Sequence, residues 1–387
     1  MILDKLAVSQ EPSWRLLQYF VKVLSFAHRA DDAPYIIGVN TMTNLETYLA
    51  KFNEADWLAA VGTLLPCIHE VDRNAIQIWF RFYPLSLKRF IDAAEGRDET
   101  LHGIAMQGDF ELKDQIDTSH RFLYGHRYWK TVKAAIEAES VVFTDQTHDL
   151  NEEIKQIGML VAEKLRIERQ MVNAVVAIGL MTLNQVGIEA FKAATGEIEK
   201  PSGIMAKSPN AVIAERGKDD SQGLFGFLKT INKEFSVNYT AAHMSGKFPV
   251  MNEQEITSAS ANDRSRNWQE IDSRCWEGPV PVECTAASCG TCWIGVLGGQ
   301  EKLDEVHPRE RRQMKVFGYN QPNDAKPFMR LSCQARAGGN VTIVIPPWNA
   351  VFGKKVYNNV EEVALEPATT SARVLRETIA SAATSGE

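Results

Sequence analysis

The chain lacks most of what marks a membrane, exported or nucleic-acid-binding protein. No apolar run reaches the roughly 20 residues that a bilayer span needs. The most apolar segment, Met171 to Phe191, is broken by Asn173, Asn184, Gln185 and Glu189, so a buried core helix is expected there and no membrane span. The opening residues Met1 to Val8 show no basic n-region followed by a sustained apolar core, and no twin-arginine pair stands near them. No export signal is therefore expected. Positive charge is not in excess either. With 42 Lys and Arg against 49 Asp and Glu, a net charge of −7 and a pI near 5.7, the chain offers no basic face for a phosphate backbone. Nucleic acid is not an expected partner. There is no G-x-G-x-x-G, no P-loop and no C-x-x-C-H, and a single E-x-x-H, Glu99 to His102, stands where a di-iron bundle takes two. Otherwise the composition is ordinary: 387 residues, 44% hydrophobic and 24% charged, enough chain for about two or three domains.

Four of the six cysteines fall between Pro281 and Ile345. Cys284, Cys289 and Cys292 are spaced C-x4-C-x2-C, and Cys333 follows a long gap. Three thiolates on one loop, joined by a fourth from a distant strand end, can close around two irons bridged by two sulfides. The residues between them, Thr285, Ala286, Ala287, Ser288, Gly290 and Thr291, are small, so the backbone can wrap closely and turn its N–H groups toward sulfur. Zinc is the main alternative, although it favours two short Cys pairs. A Rieske centre would replace two cysteines by histidines, and the run from Cys284 to Cys292 holds none. The C-x2-C-x2-C-x3-C-P spacing of a four-iron cluster is absent. Disulfides would be awkward among three cysteines so close together. Cys67 and Cys275 lie outside the frame and are read as buried thiols.

Cys284-Thr-Ala-Ala-Ser-Cys289-Gly-Thr-Cys292, the apolar run Trp293 to Leu297, Arg330-Leu-Ser-Cys333-Gln334 and Val341-Thr-Ile-Val-Ile-Pro346 together resemble the [2Fe-2S] ferredoxin domain. The resemblance covers roughly the last third of the chain. It implies a β-grasp fold, a one-electron carrier function, and a [2Fe-2S] cluster ligated by Cys284, Cys289, Cys292 and Cys333. The gap before Cys333 is longer than usual in that family, with Tyr319 to Lys326 read as an inserted loop. The charged stretch Leu303 to Val316, expected to be helical, corresponds to a region that is strongly acidic in some relatives and docks a basic partner. Here its signs are mixed.

Upstream the pattern is helical throughout. Helices are expected over Trp14–Ala30, Asn44–Phe52, Glu54–Leu65, Asp72–Phe82 and Leu85–Ala94, with a long helical pattern from His148 to Thr195. Ser119 to Ala138 reads as a helix dense in aromatics and bases. His120 and His126 on it are six residues apart, which on a helix puts them on different faces and prevents shared chelation. Either one paired with His28, His69 or His102 is a conceivable axial haem ligand, but buried, hydrogen-bonded histidines beside an aromatic core are the plainer expectation. Pro201, Gly203, Pro209 and Gly217 mark a linker. Beyond it, Glu234 to Thr240 alternates like a strand and Asn262 to Trp276 reads as a short helix.

The expected organisation is thus multidomain: an all-α bundle at 1–199, a linker at 200–222, a β-grasp ferredoxin-like domain at 223–355 and a flexible tail at 356–387. The expected function is an electron carrier docked to a redox partner protein or oxidoreductase complex through its helical domain. An oxidoreductase subunit whose helical domain carries a second cofactor or active site, and an iron-sulfur redox sensor, are the alternatives. Thiolates that must stay reduced point to the cytoplasm.

Overall fold

The computed structural model describes residues 42–144, 149–218, 233–242, 244–319 and 326–357. The helix expected over Trp14–Ala30, His28, most of the expected inserted loop, the end of the linker and nearly all of the tail lie outside the described residues. The described chain combines helices with a mixed five-stranded sheet.

Its helical part comprises α1 (Asn44–Ala50), α2 (Glu54–Leu64), α3 (Glu70–Phe82), α4 (Leu85–Asp92), α5 (Arg97–Gly103), α6 (Trp129–Val142), α7 (Leu150–Leu165), α8 (Asn173–Val186), α9 (Ile188–Ala193) and α10 (Pro209–Arg216). Local chemistry sets several starts. Thr43 and Glu46 form a reciprocal capping box on α1, and Asn53 and Asp56 form one on α2. The long pattern from 148 to 195 is divided by Arg166, which ends α7 in the left-handed region, and by Gly187 after α8. Helix α8 is buried almost all round, as a helix apolar on every face must be, and packs against α1, α3, α6 and α7.

Two expectations change here. Ser119 to Ala138 is not one helix: α6 begins only at Trp129, preceded by turns and a 3-10 segment, Tyr124–Tyr128. The cause is the carboxylate of Asp72 on α3, which accepts the N–H groups of Tyr124 (2.7 Å) and Gly125 (2.8 Å) and so draws the chain off the helical path. The expected linker also contains α10, capped by Ser208, with Val212 buried beside Val71, Tyr124 and Met171.

The sheet is built from β2 (Glu234–Thr240), β3 (Ser245–Met251), β5 (Trp293–Gly298), β6 (Met329–Leu331) and β8 (Val341–Val344), in the order β3-β2-β8-β5-β6. β2 and β8 run parallel and every other neighbouring pair is antiparallel, while β4 (Gln254–Glu255) and β7 (Arg336–Ala337) form a separate antiparallel pair. Short helices α11 (Ile256–Ser260) and α12 (Trp268–Ile271) precede the cysteine loop, the second being all that forms of the helix expected over Asn262–Trp276. Helix α13 (Pro308–Phe317) fills the charged stretch.

Strand β5 is buried on both faces, which explains its unbroken apolar run. Ile294 and Val296 join a core with α11 and α12, whereas Trp293 and Leu297 join the core of the helical bundle. Between the latter two, Gly295 faces α3: a Cβ there would sit 2.6 Å from Ile78 Cγ2. The junction is fastened by Trp348, whose Nε1–H donates to Phe82 O at 2.6 Å, and by pairing of β1 (Gln107–Gly108) with β9 (Trp348–Asn349).

Candidate metal centre

The cysteine loop runs from the end of α12 to β5, and it wraps by passing through left-handed backbone at Ala287 (φ 55°) and Gly290 (φ 75°). Gly290 suits its place twice over, since a Cβ would also stand 3.2 Å from the Phe317 ring. Ala287 has no such licence, and it holds a sparsely populated conformation at the centre of the loop.

The loop brings Cys284, Cys289 and Cys292 together with Cys333, which follows β6. The four thiols act on one another's ionisation mainly in two pairs, Cys284 with Cys289 and Cys292 with Cys333. Across the pairs, Cys289 interacts electrostatically with Cys292, and Cys284 with Cys333. The paired neighbour lowers the pKa of Cys284 and of Cys333 and raises that of Cys289 and of Cys292. Among the described residues no three or more His, Cys, Asp or Glu side chains converge on a position for one ion.

Further donors point at the sulfurs. Ser288 gives its N–H (3.4 Å) and hydroxyl (3.3 Å) to Cys284 Sγ, and the Ala286 N–H joins them. The N–H groups of Thr291 and Ala287 serve Cys289 and Cys333. Gln334 Nε2 lies 3.5 Å from Cys333 Sγ and ties that end to the loop through Thr285 O at 3.1 Å. Cys284, Cys292 and Cys333 are buried, while Cys289 is half-buried and forms the solvent side.

The fourth cysteine is held from several directions. Ser332 donates its N–H (2.9 Å) and hydroxyl (2.7 Å) to Cys292 O, so the two members of one thiol pair are fixed through adjacent backbone. Thr257 on α11 donates its N–H to Ser332 O at 3.1 Å. Arg330, fully buried, forks onto Glu310 of α13 at 2.9 and 3.0 Å, and Glu310 also accepts the Leu331 N–H at 2.8 Å. Trp293 stacks on Tyr319 at 3.7 Å between ring centres, and the Tyr319 hydroxyl bridges Ala350 O and N. Tyr319 is thus a wall of the site.

The remaining cysteines stay apart. Cys275 is buried and donates its S–H to Pro279 O at 3.3 Å, and burial raises its pKa. Cys67 is exposed, contrary to expectation, because it ends the short 3-10 turn Leu65–Cys67.

The histidine geometry overturns the helical-face argument. With the segment folded as turns, the rings of His120 and His126 lie 4.7 Å apart, and His120 packs edge-on to Trp129. His120 Nε2 and His126 Nδ1 are buried without a hydrogen-bond partner. Burial holds both neutral at pH 7, lowering His120 well below the usual range and His126 to about 4. His69 is occupied as the N-cap of α3.

No protein-family model, curated protein or solved structure matches the chain. Among the described residues no helix is long and apolar enough to cross a membrane.

Proposed function

We propose that the chain is a one-electron carrier holding a [2Fe-2S] cluster on Cys284, Cys289, Cys292 and Cys333. The observation that carries this reading is that the Ser332 N–H on Cys292 O (2.9 Å) and Gln334 Nε2 on Thr285 O (3.1 Å) hold Cys333 against the loop of Cys284, Cys289 and Cys292, a C-x4-C-x2-C set with a distant fourth cysteine that suits a two-iron cluster better than zinc. When bound, the cluster supplies a reversible one-electron couple.

The chain's own groups do the rest. N–H groups of Ala286, Ala287, Ser288 and Thr291 stabilise negative charge on sulfur and thereby favour the reduced form. Burial of three of the four thiols keeps water from the interior side, and the half-buried Cys289 leaves one approach for a partner. The sheet order supports the β-grasp form of the reading: a hairpin, β2–β3, whose first strand lies parallel to β8, with β8 flanked by β5 and then β6. The helical bundle is assigned the task of docking to a redox partner.

Purified full-length protein is expected to contain two irons and two acid-labile sulfides per chain and to show the electron spin resonance of a reduced [2Fe-2S] centre. Stoichiometric zinc, or four irons, would sink the reading. Serine at position 284, 289, 292 or 333 should strip or badly weaken the centre, while Cys67→Ser and Cys275→Ser should leave its spectrum intact. Loss on Cys275→Ser with retention on Cys284→Ser would mean the ligands are misassigned.

A further inference from the structure

A cleft of about 520 Å³ opens between the helical part and the β2–β3 hairpin, walled also by α10 and the turn before it. Its volume lies in the range of small-molecule sites. In a chain of net charge −7, its lining carries six cations, Arg121, Arg127, Lys200, Lys207, Arg216 and Lys247, against the carboxylates of Glu199 and Glu215.

How those cations are held sets the cleft apart from a solvated surface. Arg127 donates from Nε to Tyr124 O (3.1 Å) and from Nη2 to Met205 O, and its guanidinium lies 3.5 Å above the centre of the Tyr124 ring. Carbonyls and a ring fix its direction but leave its charge uncompensated. Arg121 is aimed likewise by Ala242 O at 2.8 Å, and its nearest carboxylate, the largely exposed Glu199, stands off at 3.9 Å. Lys200, Lys207 and Lys247 make no ion pair within the described residues. Arg216 alone has a buried counter-charge, in Asp72. His126 stands in the wall with Nδ1 unpartnered. A fixed guanidinium with no ion pair among the described residues at Arg127, a second at Arg121 facing only an exposed carboxylate, and three unpaired lysines in one concave site form a preorganised receptor for negative charge.

We propose that this cleft binds a small polyanion bearing at least two phosphate or carboxylate groups. The inference is independent of the cluster assignment. Leu297 at one end of β5 lines the cleft, whereas Cys292 precedes the other end. At about 3.3 Å per residue the two sites lie roughly 17 Å apart along that strand.

The test is calorimetric titration of the full chain with inorganic pyrophosphate and, separately, with citrate, at low and at elevated sodium chloride. Saturable binding of one ligand per chain is expected for at least one probe, weakening with salt. Preference for pyrophosphate would assign phosphates, and preference for citrate would assign carboxylates. Arg127→Gln should weaken binding tenfold or more. Because Arg127 also ties two carbonyls, Lys247→Gln on the exposed strand β3 is the companion variant, with a severalfold loss expected at an unchanged melting temperature. Absence of saturable binding to either probe at low salt, or affinity unchanged in Lys247→Gln, would overturn the proposal.

Discussion

Arg330 decides where Cys333 stands, and its environment leaves little room for substitution. The side chain is wholly buried, and besides its fork onto Glu310 it donates to Asp304 O at 2.8 Å and to Asp304 Oδ1 at 3.0 Å. Removing the buried partner of such an ion pair costs up to about 3–5 kcal/mol, and here it leaves Arg330 only the part-exposed carboxylate of Asp304. Glu310→Ala should therefore lower the unfolding free energy by up to that much in urea titration, and it should speed loss of the proposed cluster, because Leu331 loses its N–H acceptor two residues before Cys333. A loss below about 1 kcal/mol would show that water or another carboxylate compensates. The sequence makes half of this arrangement visible. Arg330 stands three residues before Cys333 in a recognisable motif, but Glu310 reads as one acid in a stretch of mixed sign. Nothing in the linear pattern selects it over Glu305, because the choice depends on which face α13 turns toward β6.

At the scale of elements, Glu153 on α7 is buried, and Glu139 on α6 adds like charge. Burial chiefly, then Glu139, raises its pKa from 4.5 to about 7. The folded state then holds a proton that the unfolded state has already lost, so stability falls as pH rises from about 4.5 through about 7. The shift corresponds to roughly 3 kcal/mol at pH 8. Glu153→Gln should accordingly stabilise the protein by roughly 2–3 kcal/mol at pH 8 and by almost nothing at pH 4.5, read from urea midpoints. Equal stability of variant and parent at pH 8 would show the carboxylate to be solvated. Helices such as α7 were legible because apolar residues recur every three or four positions. The stretch from Ser119 to Tyr128 was not, since its turn is imposed by Asp72, some fifty residues earlier. Strand β3 escaped for a similar reason. Among Ser245-Gly-Lys-Phe-Pro-Val-Met251 only Phe248 and Val250 are buried, and the register comes from pairing with β2.

For the molecule as a whole, the Pro- and Gly-rich stretch near residue 200 predicts two halves that separate freely, each with its own core. One core instead runs through both: Ile78, Trp79 and Phe82 of the bundle share it with Trp293, Leu331, Trp348 and the cysteines Cys292 and Cys333. Phe82 meets the Trp293 ring edge-on at 5.2 Å, and the backbone carbonyl of the same Phe82 accepts from Trp348. A piece lacking residues 1–222 would expose these aromatics to water, so the full chain is the proper object of test. Gly295 is a close approach of sheet to bundle. A methyl group there would press on Ile78 Cγ2 at 2.6 Å and on Val344 Cγ1 at 3.0 Å, and overpacking of this kind costs about 1–3 kcal/mol. Because the strain falls on a core common to both halves, Gly295→Ala should lower a single calorimetric transition. Far-ultraviolet ellipticity and the visible absorbance of the proposed cluster should then shift together on heating. If the parent melts in two separated steps, and the substitution moves only the one that bleaches the centre, the two halves are energetically independent despite the shared core.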